Sequence, residues 1–337
     1  MLPKKSLLPI TLLCSFFAST QICHADSILG DASAYNLVAL GSSTLSGTIR
    51  ENSDVGGRIA AAGDVLSAPE VGQSLVHDSY GSLAGGYLLV AGGVGAGEHT
   101  NVQANGSVYA PGATSSNFNF NHGGSLVTTG PSPIDFSSLR TQLDSESLTL
   151  AAMLPTGQVL THGQAGFPSG ANPSWLVLSG TRAFVNVFNI TPTQLASVNN
   201  PLDIVVPAGS TVIINVSGAS DSLGSAIYIN GSQPSETSNA GADILFNFAD
   251  ATSVTLNGQF TASMLAPLAA ISGNSSIDGT IVAAQISDNG EVHNAEFTGS
   301  IPPSVPEPRS LAFVGTGMFL VAALVARRGK EIPGSLR

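Results

Sequence analysis

The stretch YLLVAGGVGAGEHTNVQANGSVYAPGATSSNFNFNHGGSLVTTG, residues 87–130, holds three short apolar clusters separated by turns rich in glycine, asparagine and proline. Their centres, Leu89, Val108 and Leu126, stand 19 and 18 residues apart. Upstream, Val38 and Ile59 centre two more clusters 21 apart, and the longer gap from Ile59 to Leu89 has room for an extra turn near Leu75. A short strand and a turn repeated about every twenty residues predict a mainly β fold, a β-solenoid or parallel β-helix in which coils stack on one another. The rival is a β-sandwich, whose strands recur every 8–12 residues or so. The longer spacing favours the solenoid.

Residues 133–154 break the pattern. Phe136, Leu139, Leu143, Leu150 and Leu154 fall at helical spacing. Ser132 is the expected N-cap, Pro133 the first helical residue, and Pro155-Thr156-Gly157 the stop. A helix of about twenty residues is ~30 Å long and covers about six rungs spaced ~4.8 Å apart. The expectation is one long helix lying along the solenoid flank; a linker between two domains is the alternative. Strand-like clusters then resume at 175–178, 183–188, 203–206, 211–216, 226–229, 244–248, 254–256 and 280–284. Asn186, Asn215 and Asn247 lie inside these apolar runs. A buried amide is costly unless paired, so they are expected to hydrogen-bond along the stack.

Both ends of the chain read as targeting segments. Residues 1–25 have a charged start (Lys4, Lys5), an apolar run from 7 to 18 and a small residue, Ala25, before the expected cut. The chain's only cysteines, Cys14 and Cys23, lie there, so the mature protein has no disulfide or Cys-ligated metal. At the other end, Val305, Pro306, Glu307 and Pro308 precede a charge-free run, 311–326, closed by Arg327, Arg328 and Lys330. That run is near the short limit for a transmembrane helix, and the basic cluster orients it with its end in the cytoplasm. The order of these parts resembles the PEP-CTERM sorting signal, which implies processing by an exosortase during export and passage through the inner membrane. Three segments follow: a signal peptide (1–25), one mature domain (26–304) and a sorting signal (305–337).

The mature domain is strongly acidic. It has four arginines (Arg50, Arg58, Arg140, Arg182), no lysine, and 20 acids (the chain's 22 less Glu307 and Glu331), a net charge of −16. Nucleic acid and anionic lipid are therefore excluded as electrostatic partners. Only 10% of the chain is charged and 43% is hydrophobic, which is not the composition of a disordered chain.

Tyr35-Asn36-Leu37-Val38-Ala39-Leu40-Gly41 and SDVGGRIAAAGDV (53–65) resemble the opening of the choice-of-anchor A domain. TVIINVSG (211–218) resembles its middle; ILFNFADATSVTLNG (244–258), SMLAPLAAI (263–271) and IDGTIVAAQI (277–286) resemble its close. Leu268 departs from the polar residue usual after the Ala-Pro pair. The resemblance implies a surface or matrix protein, often adhesin-like, without an assigned catalytic residue.

Motifs for chemistry are sparse. There is no G-x-S-x-G elbow, and Gly92-Gly93-Val94-Gly95-Ala96-Gly97 lacks the lysine of a phosphate loop. His77, His99, His122, His162 and His293 have no zinc spacing. His77-Asp78 and Glu98-His99 put neighbouring side chains on opposite faces of a strand. A polysaccharide lyase would want basic groups that are scarce here; a glycoside hydrolase needs only two carboxylates. Asp54, Asp278 and the turn Asp288-Asn289-Gly290-Glu291 are the oxygen ligands that Ca²⁺ would use. The resulting expectation is a non-enzymatic, exosortase-sorted surface or matrix protein, with exopolysaccharide or further copies of itself as partners. No catalytic residue, cofactor or metal is assigned, calcium being the single ion the acids admit. A carbohydrate-active hydrolase on the same scaffold is the alternative. Ice binding is a third reading, for which no ranked Thr-x-Thr array is visible.

Overall fold

Every pairing in the main sheet is parallel, yet its strand order is not the order of the chain. The computed structural model describes residues 27–75, 86–195, 201–224, 226–235 and 238–301. Among these, one sheet of 13 strands runs along its first face in the order Leu126–Val127, Ser107–Tyr109, Tyr87–Val94, Ile59–Val65, Leu37–Ala39, Ile281–Asp288, Ser263–Gly273, Ile244–Asn247, Thr211–Val216, Val185–Ile190. The earliest strand is therefore central: Leu37 pairs with Ile59 on one side and with Ile281 on the other. From this middle the chain builds rungs to one end of the stack, crosses to the opposite end, and builds back. The rungs are stacked and parallel as predicted, but their spacing is near twenty only in places: Ile59 pairs with Leu89, Val187 with Ile213 and Ile213 with Leu245, longer coils that carry extra loops.

Each coil turns corners onto further faces. The same sheet continues onto a second face through Ile49–Glu51, Ser253–Leu256 and Ser220–Leu223 and the distal halves of the long strands. A third face carries a six-stranded sheet at one end of the stack and a four-stranded sheet at the other. Glycine is required at one corner. A Cβ on Gly63 would lie 2.3 Å from the Ser46 carbonyl oxygen, and one on Gly92 2.7 Å from that of Ala62. The glycine-dense 92–97 stretch is thus a strand bending at a corner and then turning.

The helix spans Phe136–Ala151, shorter at both ends than 133–154. At 1.5 Å per residue it is about 24 Å long, covering about five rungs. Its N-cap is Asp135, not Ser132: Asp135 Oδ1 accepts from the Ser137 and Ser138 amides, each at 3.1 Å, and the Ser138 hydroxyl donating to Oδ2 at 2.8 Å, with these amides, holds its carboxyl below the usual range. The Ser132 hydroxyl instead accepts from the Ile134 amide at 3.2 Å. Leu154 lies outside the helix and is 83% exposed. Leu139, Leu143 and Leu150 belong to one buried cluster with Val38, Ala60, Val90, Ile213, Leu245, Leu265 and Val282, and the helix lies chiefly over Ser263–Gly273, Ile244–Asn247 and Thr211–Val216. Neighbouring residues such as Leu37 and Ala39 point the other way, into the coil interior. The inner first-face strands are therefore buried on both sides, which is why they read as apolar runs broken only by asparagine.

Asparagines tie the helix to the sheet. Asn247 Nδ2 donates to Asn215 Oδ1 at 2.9 Å, and Asn215 Nδ2 to Asn189 Oδ1 at 3.2 Å. Asn247 Nδ2 also reaches the Ser147 carbonyl at 2.9 Å, and Asn215 Nδ2 that of Leu150 at 2.8 Å, both near the C-terminus of the helix. The Ser147 hydroxyl closes the network on Asn247 Oδ1 at 2.5 Å. Asn186 takes no part; its side chain clamps the Arg182 backbone and the Ser210 hydroxyl. Asn189, three residues on, holds the register opposite Asn215.

Segments 1–25 and 305–337, including the signal peptide, the 311–326 run and Val305, Pro306, Glu307, Pro308, Arg327 and Arg328, lie outside the described residues. So do His77 and Asp78. Among the described residues no helix is long and apolar enough to cross a membrane.

Candidate functional site

With one face under the helix, the second face is left open, and its composition differs. Its strands alternate, sending one residue inward and the next outward. Outward residues form rows across the rungs: Ser220, Ser253, Ala270 and Gln285 in one, and Ser222, Thr255, Ser272, Ser287 and Arg50 in the next. Neighbours bond along the stack: Ser253 Oγ donates to Ser220 Oγ at 2.9 Å, and the Thr255 and Ser272 hydroxyls are 3.3 Å apart. A third row, of exposed amides, follows the corner: Asn257, Asn274, Asn289 and Asn52. Asn289 Nδ2 donates to Asn274 Oδ1 at 2.8 Å, Asn52 Nδ2 donates to Asn289 Oδ1, and Asn257 Nδ2 donates to Ser222 Oγ at 2.7 Å. The site is therefore a face rather than a cleft. It is a ruled array of hydroxyls and amides repeating at about the 4.8 Å strand spacing, with Arg50 the charged member of these rows.

This array has a sequence signal that strand centres hide. Aligned on the corner, SVTLN (253–257), AISGN (270–274), QISDN (285–289) and TIREN (48–52) share an inward apolar second residue and a terminal asparagine. These four coils are neighbours in space though not all in sequence.

Beneath the face two carboxylates are stacked inside. Glu51 and Asp288 are opposite each other in register and both are 0% exposed. Glu51 Oε1 accepts from the Ser53 amide at 2.8 Å and Asp288 Oδ2 from the Gly290 amide at 3.2 Å, while Glu51 Oε2 and Asp288 Oδ1 have no hydrogen-bond partner among the described residues. Burial lifts Glu51 to about 8, the Asp288 charge adding to the effect, and lifts Asp288 to about 6.

The other sequence-predicted groups are dispersed. In the turn Asp288-Asn289-Gly290-Glu291, Asp288 is interior whereas Glu291 lies 3.6 Å from His293 Nε2. Asp278 is buried and fully engaged, bonded to His293 Nδ1 and accepting from Gln259 Nε2 at 3.1 Å and Thr261 Oγ1 at 2.9 Å. Asp54 is opposite Glu70, whose carboxylate accepts from Asn101 at 3.2 Å and Gln103 at 2.8 Å. His122 bonds the Gln103 carbonyl, and His162 packs edge-on to Phe167. Among the described residues no group of three or more His, Cys, Asp or Glu is placed to hold a metal ion.

The chain matches the family of ice-binding-like adhesive domains over residues 28–294. Among solved structures, it is similar to an ice-binding protein from an Antarctic Flavobacteriaceae bacterium (12% identity, TM-score 0.37), covering 80% of this chain and 48% of that one. It thus spans about half of that relative's length. It is also similar to ice-binding proteins from the Antarctic ascomycete Antarctomyces psychrotrophicus (13%, TM-score 0.32, 80% and 98% covered) and from an Arctic yeast (11%, TM-score 0.32, 84% and 96% covered). No curated protein matches the chain.

Proposed function

We propose that this chain, which belongs to the family of ice-binding-like adhesive domains, is an exported surface or matrix protein that attaches to neutral polymer through its open face, without catalysis. The observation that carries this reading is the ruled array itself. Hydroxyls and amides already bonded to one another are held in place before contact, so little side-chain entropy is lost on binding. Each contact is weak, and dense display of many copies makes the attachment strong. A domain of net charge −16 gains nothing from long-range attraction to anionic partners.

The reading extends to the termini. An exosortase recognises Val305-Pro306-Glu307-Pro308 with Arg327 and Arg328, removes the charge-free 311–326 run in the inner membrane, and releases a domain of choice-of-anchor A type to the surface or matrix. Mass spectrometry of the protein from its producing cells is expected to find no peptide beyond about Arg309. An intact C-terminus would reduce the tail to an ordinary anchor.

The attachment test is incubation with the producer's matrix polysaccharide, with and without calcium. Retention without new reducing ends or unsaturated products supports the reading; steady depolymerisation overturns it in favour of the hydrolase. Calcium dependence would mean that surface acids, the Asp54–Glu70 neighbourhood included, bridge to acidic polymer instead. The family membership and the flat spacing of the rows favour ice as a second ligand. Thermal hysteresis, abolished by bulky substitution of Thr255 and Ser272, would establish it.

A further inference from the structure

At the far end of the stack the third face carries a cleft that the attachment array does not use. Strands Leu176–Ser179, Leu202–Val205 and Ile227–Ile229 pair there in parallel. Leu176, Leu202 and Ile227 point into the core, so the register sets Val177, Asp203 and Tyr228 side by side on the other side of the sheet, where Val177 and Asp203 are covered. The Trp175 ring packs on Tyr228, with centroids 4.2 Å apart and planes at 41°. Beside them opens a cavity of about 710 Å³ walled by Trp175, Pro168, Pro173, Asp203, Asn172 and Asn230. That size, an aromatic wall and a few fixed polar groups are the ordinary make-up of a small-ligand site.

Its polar groups are of two kinds. Asp203 is only 2% exposed, and its Oδ1 accepts from the Gly231 amide at 2.9 Å. Asn172 and Asn230 spend their side-chain oxygens on backbone amides, of Ser174 at 2.9 Å and Val206 at 3.1 Å, which leaves their amino groups as donors. Among the described residues the wall has one carboxylate acceptor, two amide donors, an indole surface and no cation.

We propose that this cleft binds a neutral pyranose unit of a polysaccharide. The apolar C–H face of a sugar ring suits the indole, and adjacent ring hydroxyls suit a fixed carboxylate, whose charged hydrogen bonds are the strong kind. A uronate or phosphorylated sugar would instead meet the Asp203 charge with no cation to offset it. Glycoside hydrolysis needs two carboxylates and the described residues of this wall supply one, so the proposal is a sugar held, not cut. The proposal rests on the matrix-attachment reading and gives it a specific sugar subsite.

Trp175 is the chain's only tryptophan, so emission excited selectively from tryptophan, at wavelengths the tyrosines do not absorb, reports on this cleft. The full-length chain in mild detergent is titrated with cellotetraose, mannotetraose and, as the charged control, tetragalacturonate. A saturable change in emission with a neutral tetrasaccharide is expected, weakened about tenfold or more in Asp203→Asn and in Asn172→Ala, with tetragalacturonate inert. Calorimetry with Trp175→Ala is expected to show no binding. The proposal is overturned if neither neutral sugar alters the emission, if both cleft variants titrate like the parent, or if tetragalacturonate binds as well. Co-sedimentation with matrix polysaccharide, read on a Thr255→Lys/Ser272→Lys variant, separates the two claims. Polysaccharide binding that survives this variant while Trp175 still responds refutes the open face and keeps the cleft; the reverse refutes the cleft alone.

Discussion

Asn247 joins three elements through one side chain: it bonds to Asn215 on the next rung and to both the carbonyl and the hydroxyl of Ser147 on the helix. Truncation strands several buried polar groups at once, and each unsatisfied group costs about 1–3 kcal/mol. Asn247→Ala is therefore expected to lower unfolding free energy by about 2–4 kcal/mol in urea titration, whereas Asn289→Ala on the exposed corner row changes it little. Glu51 gives a pH prediction. Its pKa is raised from 4.5 to about 8 in the fold, so between those values the folded state holds a proton that the unfolded chain releases. Stability is then greatest at the acid side of that window and falls as pH rises through it. Denaturation at pH 5 and pH 8 is expected to show that fall, and Glu51→Gln to flatten it; a rise toward pH 8 would contradict the assignment. Buried amides in apolar runs were legible as stack-bonding residues, and Asn215 and Asn247 behave so. Asn186 was not distinguishable from Asn189 by composition, because only register decides which one faces its neighbours.

The helix is the element that closes the path of the chain. The two outermost strands of the first face, Leu126–Val127 and Val185–Ile190, are nine strand steps apart in the sheet order, about 43 Å at the usual spacing. The segment between them must cover that distance, and the helix supplies about 24 Å of it while burying one leucine stripe. Leu143, 0% exposed, is at the middle of that stripe. Leu143→Ala is expected to cost about 3 kcal/mol, read as a lower denaturation midpoint, and to speed amide exchange in first-face strands more than in Ser253–Leu256 on the open face. Equal acceleration on both faces would argue that the helix is not a separate cover. The helix itself was readable from its leucine spacing, and the difference between faces was also written in the chain: LVA (37–39) is apolar throughout and ILFN (244–247) is apolar but for Asn247, because both are covered on both sides, while SVTL (253–256) alternates because one side is open; SDSL (220–223) alternates in burial only, its inward second residue being Asp221. The helix ends were harder to read, since Ser132 and Asp135 are both good caps and the choice depends on where the chain leaves the last rung.

At the scale of the molecule, the least legible feature was the splice at the centre of the stack. Recurring short strands announce the stacked rungs, but nothing local says that Leu37–Ala39 enters between Ile59–Val65 and Ile281–Asp288; the pairing of Leu37 with Ile281 joins residues over 240 positions apart. The splice brings the corner pentapeptides TIREN and QISDN side by side and so makes the open face continuous. A domain without lysine also offers a sharp test of how that face works. The direct measurement is co-sedimentation of the parent and of Thr255→Lys/Ser272→Lys with the producer's polysaccharide at low salt. If attachment is close contact of neutral polymer with ruled rows, the two long charged side chains hold the polymer off, and binding is expected to fall about tenfold or more with no depolymerisation. Binding that is unchanged, or strengthened by the added positive charge, would contradict the open face as the attachment surface.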